Sequence, residues 1–150
     1  MKDAKLLEAL VAMLFDESPR KRIAAAVVLG ELRVEDPKVV RGLATLAGEP
    51  VDALAEPAVE ALGQLGPAAM PALPALLVAL ERGGRELSAA AGKAIAAMGE
   101  EALPELRSRM ESASPQLRAA LSQVLPAVGG RKSFELTLAG LYDQPFEAVN

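Results

Sequence analysis

The sequence repeats itself with a period of 33 residues, and this periodicity restricts the fold more than any other feature. A fourth copy returns at a spacing of 96 residues, three short of three periods, which indicates a small deletion in a loop. A constant period of this length is typical of repeat proteins, in which each unit buries its apolar face only by stacking on its neighbours. The matching pairs are Leu29-Gly30 with Leu62-Gly63, Leu65-Gly66 with Met98-Gly99, and Ser18-Pro19 with Ser114-Pro115.

Each unit contains two helical patterns, named here helix A and helix B in chain order. In the first helix A, Leu6, Leu10 and Leu14 recur at the spacing of one helix face. Ser18-Pro19 and Asp36-Pro37 are typical helix starts, with an N-cap residue before a first-turn proline, and Asp52 is a candidate cap for the second helix B. The predicted A and B helices span 2–15 and 20–32, 36–48 and 52–65, 70–80 and 87–98, and 103–110 and 116–128.

The units predicted from this pattern form a single domain with a half repeat at its end. Their bounds are about 1–33, 34–66, 67–99 and 100–129, followed by the half repeat 130–150. A fifth helix A is predicted from Ser133, with Phe134, Leu138 and Leu141 on one face. Two interpretations stay open: this helix caps the stack, or the chain is the N-terminal piece of a longer protein. Self-association through the half repeat is a further expectation.

The composition excludes several classes of function. The 150 residues include no His, Cys or Trp, so the chain offers no imidazole base, thiol nucleophile or Cys/His zinc site. We therefore predict no catalytic, metal or cofactor site. A net charge of −4 disfavours binding to a phosphate backbone. Because the start of the chain does not resemble a signal peptide and no uninterrupted apolar run reaches about 18 residues, we expect a cytoplasmic protein without a membrane span.

The aligned units resemble a known family of helical repeats. Helix B reads Pro-x-x-Arg-x-Ala-Ala-x-x-x-Leu-Gly-x-Leu, and helix A reads Gly-x-x-Ala-Leu-Pro-x-Leu. This pattern is similar to the HEAT repeat family, in its short bacterial form of HEAT-like or phycobilisome-lyase-type repeats. Ala55 and Ser88 replace the arginine in the second and third units. The resemblance implies an all-α fold: an α-solenoid, a right-handed superhelix of about four and a half stacked helix hairpins, whose B helices line the concave side.

A full repeat architecture without a convergent chemical constellation predicts a non-catalytic scaffold that binds another protein along the B helices. Counting back from the repeated leucine of each unit gives the positions that we expect to face outward. Ile23 and Val27 are the most suggestive of them, because two apolar side chains one turn apart on an exposed face are unusual; the alternative is that the first unit has shifted register and buries them. The predicted partner-binding residues are Arg22, Ile23, Val27, Glu56, Glu60, Lys93, Arg118 and Gln123.

Two alternative functions follow from the same resemblance. One is a phycobilisome-lyase-like or modification-associated chaperone factor, although a bilin pocket would need aromatic side chains and the chain has few. The other is nucleic-acid binding in a basic groove. Residues 49–99 hold three basic and six acidic side chains, which is the wrong sign for the floor of such a groove.

Overall fold

A computed structural model of the chain describes residues 4–128, and this part is helical without any strand. The prediction of an all-α fold is thereby confirmed. Two 3-10 segments, Gly66–Ala72 and Gly99–Ala102, precede α5 and α7. The predicted helix from Ser133 and the half repeat lie outside the described residues. The α-helices are α1 (Ala4–Met13), α2 (Pro19–Glu31), α3 (Pro37–Ala47), α4 (Asp52–Leu65), α5 (Leu73–Arg82), α6 (Arg85–Ala97), α7 (Leu103–Ser112) and α8 (Pro115–Val128).

The three predicted caps have different outcomes, and Ser18 occupies the cap position of α2 without making a side-chain cap hydrogen bond. Asp36 caps α3 as predicted, since its carboxylate accepts a hydrogen bond of 2.8 Å from the N–H of Lys38. The prediction that Asp52 caps α4 is wrong, because Val51 occupies the cap position and Asp52 is the first helical residue. The Asp52 carboxylate instead accepts a hydrogen bond of 2.8 Å from the N–H of Gly84, so it ties α4 to the loop before α6.

The chain leaves three successive B helices through a residue with a positive φ, although Gly66 differs from an ordinary left-handed cap in its ψ of −134°. Arg33, Gly66 and Gly99 have φ angles of 52°, 63° and 75°, and they are 33 residues apart. In each unit a residue with positive φ therefore lies at the end of helix B, where the connection to the next helix A begins. The repeat in the sequence is thus accompanied by a positive φ at the same position of each of these units.

The helices pack in a regular order. In the B row, which consists of α2, α4, α6 and α8, each helix contacts the next one in the row. The A row consists of α1, α3, α5 and α7, and each of its members contacts the B-row helix that follows it in the chain. The core between the rows is aliphatic. Its largest fully buried side chains are Leu29, Leu43, Leu46, Leu62, Leu73, Leu76, Ile95, Met98, Leu106, Leu121, Leu125 and Val39.

Small residues bring the B-row helices close together. A methyl group built on Gly30 would lie 2.8 Å from the Cα atom of Ala61, and one built on Gly63 would lie 3.2 Å from the Cα atom of Ala94. Side chains larger than hydrogen at these glycines would push the neighbouring backbone away. The glycines that recur in the sequence therefore set the spacing between successive units.

One helical stretch of the described residues, Asp52–Arg82, is long and apolar enough by length and composition to cross a membrane. It is not one continuous α-helix, because Gly66 has a φ of 63° and a 3-10 segment follows it. Within the stretch, α4 has 14 residues and α5 has 10, which is short of the roughly 20 that a spanning helix needs. The stretch is therefore weak evidence for a membrane span.

Candidate functional site

A groove of about 500 Å³ lies between α4 and α6 on the exposed surface of the B row. Its apolar lining consists of Val59 and small residues, among them Gly63 and Ala94, where a methyl group built on Gly63 would lie 3.2 Å from the Cα atom of Ala94. Longer side chains rise along both walls and leave a trough between them. The wall residues of this α4–α6 groove are Glu56, Glu60 and Gln64 on α4, and Glu86 and Lys93 on α6.

The α4–α6 groove carries a net negative charge, since three carboxylates face a single ammonium group. Glu56 and Glu60 are one helical turn apart on α4, and Glu86 lies across from them on α6. Within residues 4–128, none of these three carboxylates has a salt-bridge partner. They are consequently available for cationic groups of another molecule.

A second groove, of about 470 Å³, lies between α6 and α8. Gly92 forms part of its floor, and Arg85, Lys93 and Gln123 supply its polar wall. Ala89 and Lys93 line this α6–α8 groove as well as the α4–α6 groove. The two grooves therefore adjoin across α6. The charged side chains that line them are mainly acidic in the α4–α6 groove and basic in the α6–α8 groove.

The structure brings together half of the predicted partner-binding residues. Glu56, Glu60 and Lys93 line the α4–α6 groove, and Gln123 joins Lys93 in the α6–α8 groove. Val27 is exposed on α2, at 41%, but lies outside both grooves. Ile23 is half-buried. The exposure of Val27 contradicts the alternative in which a shifted first unit buries both residues.

Arg22 and Arg118, which we expected to face outward, are half-buried, and the guanidinium group of each binds another part of the chain. The side chain of Arg22 is only 20% exposed, and its Nη1 lies 2.7 Å from Glu49 Oε1 in the loop after α3. Nη2 of Arg118 donates a hydrogen bond of 3.0 Å to the carbonyl of Met110, near the end of α7. At the equivalent position of the third unit, the Ser88 hydroxyl donates to the Leu80 carbonyl at 2.8 Å. In the third and fourth units this repeat position therefore binds a carbonyl near the end of helix A of the same unit, whereas the second unit has Ala55 there.

The predicted partner-binding residues leave out four polar residues of the grooves, namely Gln64, Arg85, Glu86 and Ser88. A signal for two of them is present in the helical spacing. Gln64 follows Glu60 by one turn, and Glu86 precedes Lys93 by two turns, so each extends a face that already contained a predicted residue. Extending the outward face by one turn after Glu60 finds Gln64, and extending it by two turns before Lys93 finds Glu86.

A scan of the sequence against protein-family models finds no match, and a search of curated proteins finds no similar sequence. Within the part of the chain that the structure describes, no three acidic side chains converge to hold a metal ion. The functional interpretation therefore depends on the repeat and on the two grooves.

Proposed function

We propose that this chain is a non-catalytic scaffold that binds another protein across the two grooves of the B row. The supporting observation is that the α4–α6 and α6–α8 grooves adjoin through Ala89 and Lys93. A single segment of a partner can therefore contact three successive helices. A groove with an apolar lining and polar walls gives such a segment both apolar contact and fixed orientation.

The proposal includes an architecture, an α-solenoid of HEAT-like hairpins coiled as a right-handed superhelix of about four and a half repeats. The close approach of B-row neighbours at Gly30 and Gly63 supports it, because the layer with the more closely spaced helices lies on the inside of a curved stack. The A-row helices contact one another less extensively than the B-row helices do. The grooves would then lie on the concave side, which repeat proteins commonly use for binding.

The charge and lining of the grooves favour a protein over the two alternative ligands. Three carboxylates in the α4–α6 groove would repel a phosphate backbone. The described lining of both grooves has no aromatic side chain on which a tetrapyrrole could stack. A protein segment with basic residues over α4 and acidic residues near Arg85 and Lys93 of α6 matches the change of charge along the row.

Site-specific photo-cross-linking identifies the partner. A benzophenone amino acid replaces Ala89, which is exposed and lines both grooves, in the full chain expressed in its own cells. The matched control carries it at Ala12, an exposed alanine of the A row. We expect a protein that cross-links from position 89 and not from position 12. If no protein is enriched from position 89, the grooves are not a binding site.

Affinity for the purified partner then tests the grooves directly. Ala89→Trp fills the junction of the two grooves, whereas Ala12→Trp adds the same bulk to the outer side of α1. We expect Ala89→Trp to weaken binding by about tenfold or more and Ala12→Trp to leave it unchanged, with equal helix content by circular dichroism. Equal affinities for both variants would contradict the proposal.

A further inference from the structure

Three apolar residues of the first unit are exposed at repeat positions that later units bury. Leu6, Val28 and Leu32 are 49%, 39% and 55% exposed. Their equivalents in the second and third units are at most 3% exposed. These equivalents are Val39 and Ala72 for Leu6, Ala61 and Ala94 for Val28, and Leu65 and Met98 for Leu32.

The equivalents of Val28 show what such a position does. Ala61 on α4 packs under Gly30 of α2, and Ala94 on α6 packs under Gly63 of α4. At each step the residue faces the preceding helix of the B row. Val28 therefore belongs to a stacking face of α2 against which no described B-row helix packs. We name this surface the α2 end face; it consists of Lys21, Ala24, Val28 and Leu32, which follow one another at helical spacing.

We propose that the α2 end face binds the same face of a second copy of this chain, with the two α2 helices antiparallel about a two-fold axis. The interface would add one more contact between helices at the end of the B row, where α2 already contacts α4 through its Gly30 side. A two-fold arrangement needs only one self-complementary surface and closes after two copies.

The charges along α2 fit such a pair. In an antiparallel pair, two residues lie opposite each other when their positions are equally far from the two-fold axis. With the axis at the level of Ala26, Ala24 lies opposite Val28 of the second copy. Lys21 then lies opposite Glu31 of the second copy. Lys21 and Glu31 are exposed, and the intramolecular contact of Lys21 with Asp16 is a loose 4.0 Å. Two symmetry-related ion pairs would then flank an apolar centre of small side chains, which lets the helices approach closely.

The oligomeric state of the full chain tests this inference. Light scattering and sedimentation equilibrium over a wide concentration range are expected to show a monomer–dimer equilibrium for the wild type. Val28→Glu places a charge in the centre of the face and is expected to give a monomer. Val78→Glu makes the same change at an exposed valine of α5 and is expected to leave the dimer intact. A wild type that stays monomeric, or a dimer that Val28→Glu leaves unchanged, would overturn the inference.

Charge reversal tests the antiparallel register separately. Lys21→Glu and Glu31→Lys each place like charges opposite one another, and each is expected to weaken the dimer by about threefold to tenfold. The double reversal restores opposite charges and is expected to recover the wild-type affinity. Because both residues are exposed, these variants do not disturb the core. A double variant weaker than either single variant would exclude this register. Neither experiment involves the grooves, so the outcome is independent of the proposed function.

Discussion

Arg33 occupies a backbone conformation that its own side chain disfavours. Its φ of 52° has the same sign as those of Gly66 and Gly99 one and two repeats later, where glycine adopts a positive φ without a steric penalty. A non-glycine residue in the left-handed region costs about 1–2 kcal/mol, since the Cβ atom approaches the following carbonyl. Arg33 is exposed, so burial of its side chain does not offset this cost. The first unit therefore keeps the repeat geometry with a residue that opposes it.

Arg33→Gly is expected to raise the free energy of unfolding by about 0.5–1 kcal/mol, because it removes this strain. Gly99→Ala is the converse change and is expected to lower the free energy of unfolding by about 1 kcal/mol. A methyl group on Gly99 would meet nothing within 4 Å, so packing does not complicate the result. Urea unfolding followed by circular dichroism measures both. If Arg33→Gly lowers the free energy of unfolding, the arginine side chain stabilises the fold by more than its strained backbone destabilises it.

The sequence predicted on which side of a helix a residue lies better than it predicted where the polar end of a long side chain goes. Periodicity gives the angle of a residue around its helix, and this sufficed for Glu60 and Lys93, which point outward as predicted. It does not give the path of a long side chain. Arg118 stands on the flank of α8, and its guanidinium reaches back to a carbonyl of α7. The short Ser88 makes the equivalent contact in the third unit, so chemical similarity in the sequence did not reveal the shared role.

At the scale of helices, two glycines control the packing of the B row, and they differ in the space available for an added methyl group. At Gly30 an added methyl group would lie 2.8 Å from the Cα atom of Ala61, a distance that requires the helix backbone to move. At Gly63 the corresponding distance to the Cα atom of Ala94 is 3.2 Å. A helical glycine costs about 1 kcal/mol relative to alanine, so the sign of each substitution depends on whether packing strain exceeds this gain.

Gly30→Ala is expected to lower the free energy of unfolding by about 1–2 kcal/mol, because overpacking against the α4 backbone exceeds the gain in helix propensity. Gly63→Ala is expected to change it by less than about 1 kcal/mol, since a shift of a few tenths of an ångström relieves its contact. Thermal and urea unfolding of the two variants provide the comparison. If Gly30→Ala proves the more stable of the two, the α2–α4 spacing is wider than the structure indicates.

The existence of the helices was predictable from the sequence, but the short 3-10 segments were not. The leucine and alanine spacing predicted a helix from Met70, whereas α5 begins at Leu73 after the 3-10 segment Gly66–Ala72. Pro74 explains the difference, because it has no N–H to donate to the carbonyl of Met70. Pro71 imposes the same restriction one turn earlier. Apolar periodicity reports which side chains face the core, and it is insensitive to the type of backbone hydrogen bond.

For the whole molecule, the sequence predicted four of the polar residues that line the grooves but not the grooves themselves. Glu56, Glu60, Lys93 and Gln123 were identified because the repeat fixes equivalent angles on successive helices. The volume between the helices depends on their separation, which follows from contacts such as that between Gly63 and Ala94 across two units. A period within one chain carries no direct measure of such distances, so the depth and adjacency of the grooves emerged only from the structure.

If the molecule is a stack of equivalent units, an entire unit can be removed without disturbing the rest. Deleting residues 67–99 joins Gly66 to Glu100, the residue that normally follows the equivalent Gly99. The shortened chain is expected to remain helical and to unfold cooperatively at a lower temperature, since one unit interface is lost and Val59 replaces Gly92 opposite Val124. Deleting the shorter range 67–91 joins residues that are not equivalent and is expected to abolish cooperative unfolding. Circular dichroism melting curves distinguish the two, and loss of structure in both would show that the units do not stack as interchangeable hairpins.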